Sequence, residues 1–237
     1  MFKSRLLSTS MKTEKSDNAG LGYLTKILYL APYKLSGFNV CPHASNGCIS
    51  ACLNKSGNGL YPHVQRSRIA KTTFFFSDRP AFMKQLIYEL YIFERFCLVK
   101  KLKPAVRLNG TSDIQWEKIS PEIFIYFSNI QFYDYTKNLK RMLEFCKGNF
   151  PKNYHLTFSR SESNSEDVEK VLKNNGSVAV VFYLHTNDLM PKSYLDYKVQ
   201  NGDLHDLRFL DKPGIIGLKA KGVGRSDQSG FVVRAKE

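Results

Sequence analysis

The chain has 237 residues with 35 Lys and Arg against 21 Asp and Glu, a formal charge of +14, yet its 43% hydrophobic and 24% charged residues are ordinary globular proportions. Those proportions exclude wholesale disorder, and no apolar run approaches the ~18 residues that a bilayer-spanning helix requires. The length suits one α/β domain. The excess of positive charge attracts polyanions, with nucleic acid or a nucleotide phosphate as the expected partner, although a Lys-favouring genome would give the same balance without one.

Residues 1–22 open on MFKSRLLSTSMKTEKSDNAG, which is Ser- and Lys-rich. The stretch lacks the apolar core and cleavage site of a secretion signal, so a flexible basic tail and a cytoplasmic protein are expected. Residues 23–237 are expected to form a single domain. Lys26–Ala31 (KILYLA) reads as a first strand ending at Pro32. Residues 32–62, rich in Gly, Asn, Ser and Pro, read as a long loop, and loops of that length are uncommon unless functional. Val64–Lys71 reads as a helix. Over Pro80–Val99 the apolar residues Phe82, Leu86, Leu90, Phe93 and Leu98 recur near helical spacing, with Asp78 as cap and Pro80 in the first turn.

Leu102–Leu108 is then a strand running into Asn109-Gly110-Thr111-Ser112-Asp113. The rhythm continues with strands at Ile130–Tyr133, His155–Phe158, Val178–Leu184 and Ile215–Leu218. Helices are expected at Leu139–Cys146 and at Ser165–Asn174, the latter capped by Ser165 and stopped at Asn175-Gly176. Short apolar strands alternating with helices define an α/β fold with a parallel sheet of about six strands. A partial (β/α) barrel is expected, with an open doubly wound sheet as the alternative. In both architectures the active face lies at the carboxyl ends of the strands.

Polar residues gather at those ends. Asn109, Thr111, Ser112 and Asp113 could hold a ribose, an amine or a substrate proton, or form an Asx-type turn. Asp134 with Lys137 could act as an acid–base pair, as a ribose and phosphate clamp, or as an ion pair at a helix start. Ser159 and Arg160 could grip a carboxylate or phosphate, and Lys219 closes the last strand. Among these, Asp113, Asp134 and Lys137 are the candidate catalytic residues. Asn109, Thr111, Ser112, Ser159, Arg160 and Lys219 are the candidate cofactor-binding residues. The Gly-rich stretches GVGRSDQSG and KSGNG lack a complete phosphate-loop or dinucleotide fingerprint and read as ordinary loops.

Five cysteines is an odd number, which excludes complete internal pairing. Cys97 and Cys146 have apolar neighbours and read as core thiols. Cys41, Cys48 and Cys52, spaced C-x6-C-x3-C, fall within the 32–62 loop. Three thiolates suit soft metals. They could hold an iron–sulfur cluster with one iron left open, or a zinc site completed by His43, or stand as unligated thiols.

A short strand, a three-cysteine loop and further β/α units resemble the radical S-adenosylmethionine enzymes. That resemblance implies a [4Fe–4S] cluster on Cys41, Cys48 and Cys52 and S-adenosylmethionine at its open iron. The family's usual spacing is C-x3-C-x2-C, and the wider intervals here are a departure from it. A second resemblance rests on LAPYKLSGFNVCP, GCISACL, VRLNGTSDI, QFYDYTK and GLKAKGVGRSDQSGFV. These segments look like the bacteriophage gene product 88 family, from about Leu24 onward. It implies a phage, prophage or plasmid setting. Together these readings lead to an expected iron–sulfur enzyme acting on a nucleotide or nucleic acid, with a nucleic-acid-binding protein bearing a zinc or metal-free loop as the alternative. The sequence leaves the oligomeric state open.

Overall fold

A computed structural model describes residues 4–9, 20–185 and 188–234. In chain order the elements are β1 (Leu7–Ser8), β2 (Tyr23–Leu28), α1 (Tyr33–Ser36), α2 (Asn46–Ser50), two 3-10 turns (Leu53–Lys55 and Gly57–Leu60), α3 (Pro62–Ser77), α4 (Arg79–Lys100), β3 (Lys103–Arg107), α5 (Trp116–Ile119), α6 (Glu122–Tyr126) and β4 (Gln131–Thr136). They continue with α7 (Leu139–Cys146), β5 (Tyr154–Ser159), α8 (Ser165–Lys173), β6 (Ser177–Tyr183), β7 (Ser193–Tyr194), β8 (Tyr197–Asn201), a 3-10 turn (Arg208–Leu210), β9 (Gly214–Lys219), a 3-10 turn (Gly222–Ser226) and β10 (Val233–Arg234).

The class is α/β and the sheet is mostly parallel, as expected, but among the described residues it has ten strands in place of about six. Strands pair in the order β1-β2-β3-β4-β5-β6-β9-β8-β7, with β10 on β6. The β1–β2 and β7–β8 pairs are antiparallel. The extra strands are mostly the short ones: β1, β7 and β10 have two residues each, too few to show a periodicity. The chain divides into two compact units. Unit 1 comprises Met1–Pro42, Leu60–Asp134 and Phe150–His155; unit 2 comprises His43–Gly59, Tyr135–Asn149 and Leu156–Glu237.

In unit 1, β2 lies between β1 and β3. Helix α4 buries Phe82, Leu86, Leu90, Phe93 and Cys97, at intervals of three and four residues that keep one face inward. Cys97, not the expected Leu98, completes that face; Leu98 is 64% exposed. Asp78 caps α4 as expected, accepting from the Ala81 N–H at 3.0 Å. Lys101, at φ 55°, ends the helix by turning its N–H onto the Cys97 and Leu98 carbonyls.

The segment expected as a tail is partly structured. Leu6 and Leu7 are buried, and Leu7–Ser8 pairs with β2. Residues 10–19 of that segment lie outside the described residues.

In unit 2, β6 lies between β5 and β9, parallel to both. Its Val178, Ala179, Val180 and Phe182 are all buried, which is why it reads as an unbroken apolar run. Helix α8 starts at Ser165, so the expected cap is its first helical residue. Asn164 occupies the cap position, with its side chain accepting from the Ser161 N–H and donating to the Ser159 carbonyl. Asn175, at φ 57°, turns the chain out of the helix. Glu166 and Asp167 in the first turn and Lys170 and Lys173 in the last complement the helix dipole.

Candidate functional site

The NGTSD turn in unit 1 is a closed hydrogen-bond node. Asn109 is buried, and its backbone N–H and side-chain amide both donate to the Asp134 carboxylate, at 2.7 and 3.1 Å. The Asn109 amide also donates to the Ile114 carbonyl at 2.9 Å. Its side-chain oxygen accepts from the Ser112 hydroxyl, the Ile114 N–H and the Trp116 indole. The Tyr154 hydroxyl donates to Asp134 at 2.7 Å. Asp134 is fully buried, so this carboxylate serves to tie β4 to the turn after β3 and to β5. Neither the Tyr154 nor the Trp116 contact is visible in the motif, because both partners lie outside it.

Thr111 and Asp113 sit at the edge of the same node. The Thr111 hydroxyl donates to the Leu30 carbonyl at 2.6 Å, and the Asp113 N–H to the Val40 carbonyl at 2.8 Å. Gly110 has no room for a side chain, since an added Cβ would stand 2.6 Å from the side chains of both Ile27 and Tyr29. The turn is thereby pressed against the carboxyl end of β2.

Unit 2 builds a second cluster. The half-buried Lys137 amine donates to the Ser159 hydroxyl at 2.9 Å and lies 5.6 Å from the centre of the Phe231 ring. The Arg160 guanidinium donates to the Gly230 and Phe231 carbonyls. Glu162 accepts from the Ser45 hydroxyl and the Gly47 N–H, both at 2.8 Å. Burial alone would push the Glu162 carboxyl up, but these two bonds outweigh it and hold the group below its ordinary value. Asp227 follows the same logic: burial raises it, and donation from the Val232 N–H and the Ser229 hydroxyl lowers it further.

One edge of the unit 2 sheet is basic. Strands β5, β9 and β10 all run parallel to β6, so their carboxyl ends share an edge. Arg160 follows β5, His185 lies two residues beyond β6, Lys219 ends β9 with Lys221 beyond it, and Arg234 ends β10. Arg225 is in the 3-10 turn after β9, and the Arg234 guanidinium stacks 4.4 Å over the Tyr183 ring. Of the nearby carboxylates, Glu162 and Asp227 are directed to backbone and hydroxyl donors, while Asp203 accepts from the Lys219 N–H and lies 3.4 Å from the Lys221 amine. The sequence reading singled out Arg160 and Lys219 and grouped Lys221 and Arg225 with the latter; Arg234, on the two-residue β10, was not among its candidates.

The three loop cysteines are half-buried thiols without disulfides. Cys41, in unit 1, directs its thiol toward the Thr111 carbonyl at 3.5 Å. In unit 2, Cys48 packs against the buried Ala220, Phe231 and Val232, and Cys52 stands at the cap position of the Leu53–Lys55 turn. Among the described residues, no group of three or more His, Cys, Asp or Glu side chains is arranged to hold a metal ion.

An α/β sheet with polar and basic strand ends defines a broad class of protein, and the comparisons narrow it to a family. The family described as Gene product 88 matches residues 4–235, nearly the whole chain. The protein belongs to that family, and the match starts well before the expected Leu24. No curated protein and no solved structure matches the chain. The resemblance to radical S-adenosylmethionine enzymes gains no support. Among the described residues no helix is long and apolar enough to cross a membrane.

Proposed function

We infer that this protein is a phage or mobile-element protein that binds nucleic acid through the basic edge of unit 2. The observation that carries the reading is the placement of Arg160, Lys219 and Arg234 at the carboxyl ends of mutually parallel strands, with Lys221 and Arg225 just beyond. Several cations gathered along one edge suit a polyanion such as a phosphate backbone. The chain's net charge of +14 supports the same partner. The test is fluorescence anisotropy with single-stranded and duplex DNA of about 20 nucleotides, enough to cover several phosphates. Binding should fall steeply between roughly 50 and 200 mM salt, and the triple variant Lys221→Glu, Arg225→Glu, Arg234→Glu should bind at least ~10-fold more weakly. Failure of both DNA forms to bind at ~50 mM salt, where such contacts are strongest, ends this reading.

An iron–sulfur enzyme acting on a nucleotide or nucleic acid is the second reading. It is favoured by three half-buried thiols close together in sequence, Cys41, Cys48 and Cys52. No step is derived through a cluster or through S-adenosylmethionine, since among the described residues no group of three or more candidate ligands is arranged to hold a metal ion. Iron, sulfide and zinc content of anaerobically purified protein decides it. About four irons per chain with matching sulfide supports a cluster, zinc supports a structural site, and metal-free protein after reconstitution ends both.

A further inference from the structure

Helix α4 has two apolar faces, and only one is used by the core. Phe82, Leu86, Leu90, Phe93 and Cys97 point inward. Tyr88, Tyr91, Ile92, Phe96 and Val99 recur three or four residues apart on the other side, and each is between 48% and 76% exposed. Isolated exposed apolar residues are normal, but a contiguous stripe more than two turns long marks an interaction surface. Its three aromatic rings are the residue types that dominate binding energy in interfaces.

The stripe runs into a cavity. Leu98 and Arg95, at the carboxyl end of α4, line a hollow of about 550 Å³ with Tyr23, Lys103, Gln131 and Asn129. These residues belong to unit 1, and Tyr23, Lys103 and Gln131 are the first residues of β2, β3 and β4. The cavity therefore lies at the amino ends of these strands, independent of the basic edge of unit 2.

The exposed charges along the stripe have one sign, and a single half-buried acid, Glu94, lines the hollow with Arg95 and Lys103. Every exposed charged side chain on α4 is basic: Arg79, Lys84, Arg95 and Lys100, with Lys101 at the cap. The two acids of the helix, Glu89 and Glu94, are half-buried, and Glu89 is bound to the Leu6 and Leu7 amides.

We propose that this face docks an acidic amphipathic helix of another protein. Its apolar side would lie along Tyr88, Tyr91, Ile92, Phe96 and Val99, one side chain would enter the cavity beside Leu98, and its carboxylates would face Lys84, Arg95 and Lys100. The arrangement is the helix-in-groove mode of recognition with complementary charge. A second copy of this chain fits less well, because two α4 helices crossed antiparallel about Ile92 would set Lys84 against Lys100 of the other copy. A flat anionic bilayer would match the charge but leave the cavity unfilled.

The test uses the full chain and two synthetic helical peptides of about 18 residues, five turns each. Both carry Leu at i, i+3, i+4 and i+7 spacing; one has Glu and the other Lys at the flanking positions. The Glu peptide should bind at least ~10-fold more tightly than the Lys peptide. Ile92→Ser with Phe96→Ser should abolish the difference, with only a small fall in the thermal midpoint, since both residues are about half exposed. Arg95→Glu with Lys84→Glu should reverse the preference toward the Lys peptide, which keeps the test decisive if the first pair of substitutions perturbs the fold. Equal binding of the two peptides, or binding of neither, overturns the proposal. So does dimerisation in sedimentation velocity that Ile92→Ser abolishes, or selective uptake onto phosphatidylserine vesicles without peptide binding.

Discussion

The Glu162 carboxylate holds the Gly47 amide at 2.8 Å across 115 residues of sequence. Through Gly47 and Ser45 it fixes the amino end of α2, the short helix that carries Cys48. Gly47 is buried against this contact: an added Cβ would stand 2.6 Å from Phe231 Cβ and 2.7 Å from a Glu162 oxygen. Gly47→Ala is expected to cost about 1–3 kcal/mol through overpacking, measured as a lower urea midpoint.

The same contact gives a pH dependence. Glu162 is held below its ordinary value in the folded protein, so its contribution is fully present above the unfolded carboxylate range near pH ~4.3 and is lost as pH falls through the folded value. Glu162→Gln is expected to cost about 1 kcal/mol at neutral pH, solvent screening included. The wild type and the variant should converge on acidification. Hydrogen exchange of the α2 amides checks it, and a wild-type advantage that persists at pH ~2, well below that carboxylate range, removes Glu162 as the clamp.

Asp134 and Tyr154 predict a second pair of outcomes. Asp134 is fully buried and accepts from Asn109 twice and from Tyr154 once. Removing the carboxylate strands several buried donors, so Asp134→Ala should cost about 3–5 kcal/mol. Tyr154→Phe strands a single acceptor site and should cost about 1 kcal/mol. At a temperature where both variants stay folded, DNA affinity should match the wild type. A variant of normal stability that fails to bind would instead place Asp134 in the binding machinery.

The elements that were readable from sequence are those whose pattern is local. β6 is a continuous apolar run because both faces are covered, and α4 starts where Asp78 and Pro80 place it. Strand β1 was missed because its two residues sit in a Ser- and Lys-rich stretch and depend on distant groups: Glu89 accepts from the Leu7 amide, and Lys71 donates to the carbonyl of the preceding Leu6. The inner face of α4 was misjudged by one residue at its end, where Cys97 and the exposed Leu98 are equally apolar letters. The NGTSD turn was recognised as polar and rim-like, but its closure by Tyr154 and Trp116 is a tertiary fact. For Cys41, Cys48 and Cys52 the spacing pointed to a shared metal, which is a property of sequence alone, whereas a ligand group is a tertiary arrangement, and among the described residues none of three or more candidate ligands is found.

The clamp on β1 supplies the last prediction. The Lys71 amine is buried and donates to the Leu6 carbonyl at 2.9 Å, while Glu89 accepts from the Leu6 and Leu7 amides. Burial lowers the Lys71 pKa from 10.5 to about 8; Glu89 opposes that shift and Arg68 adds to it. A lysine depressed in the folded state penalises folding whenever it must stay charged. The penalty is complete below the folded value and is relieved as pH rises toward the unfolded one. The gap from 10.5 to about 8 corresponds to roughly 3 kcal/mol at full relief. Between pH ~7 and ~9.5 the wild type should therefore gain stability relative to Lys71→Met, which lacks the titrating amine. Urea unfolding of both proteins across that range measures the difference. Parallel profiles would mean that Lys71 remains hydrated and that β1 is held by Glu89 and strand pairing alone.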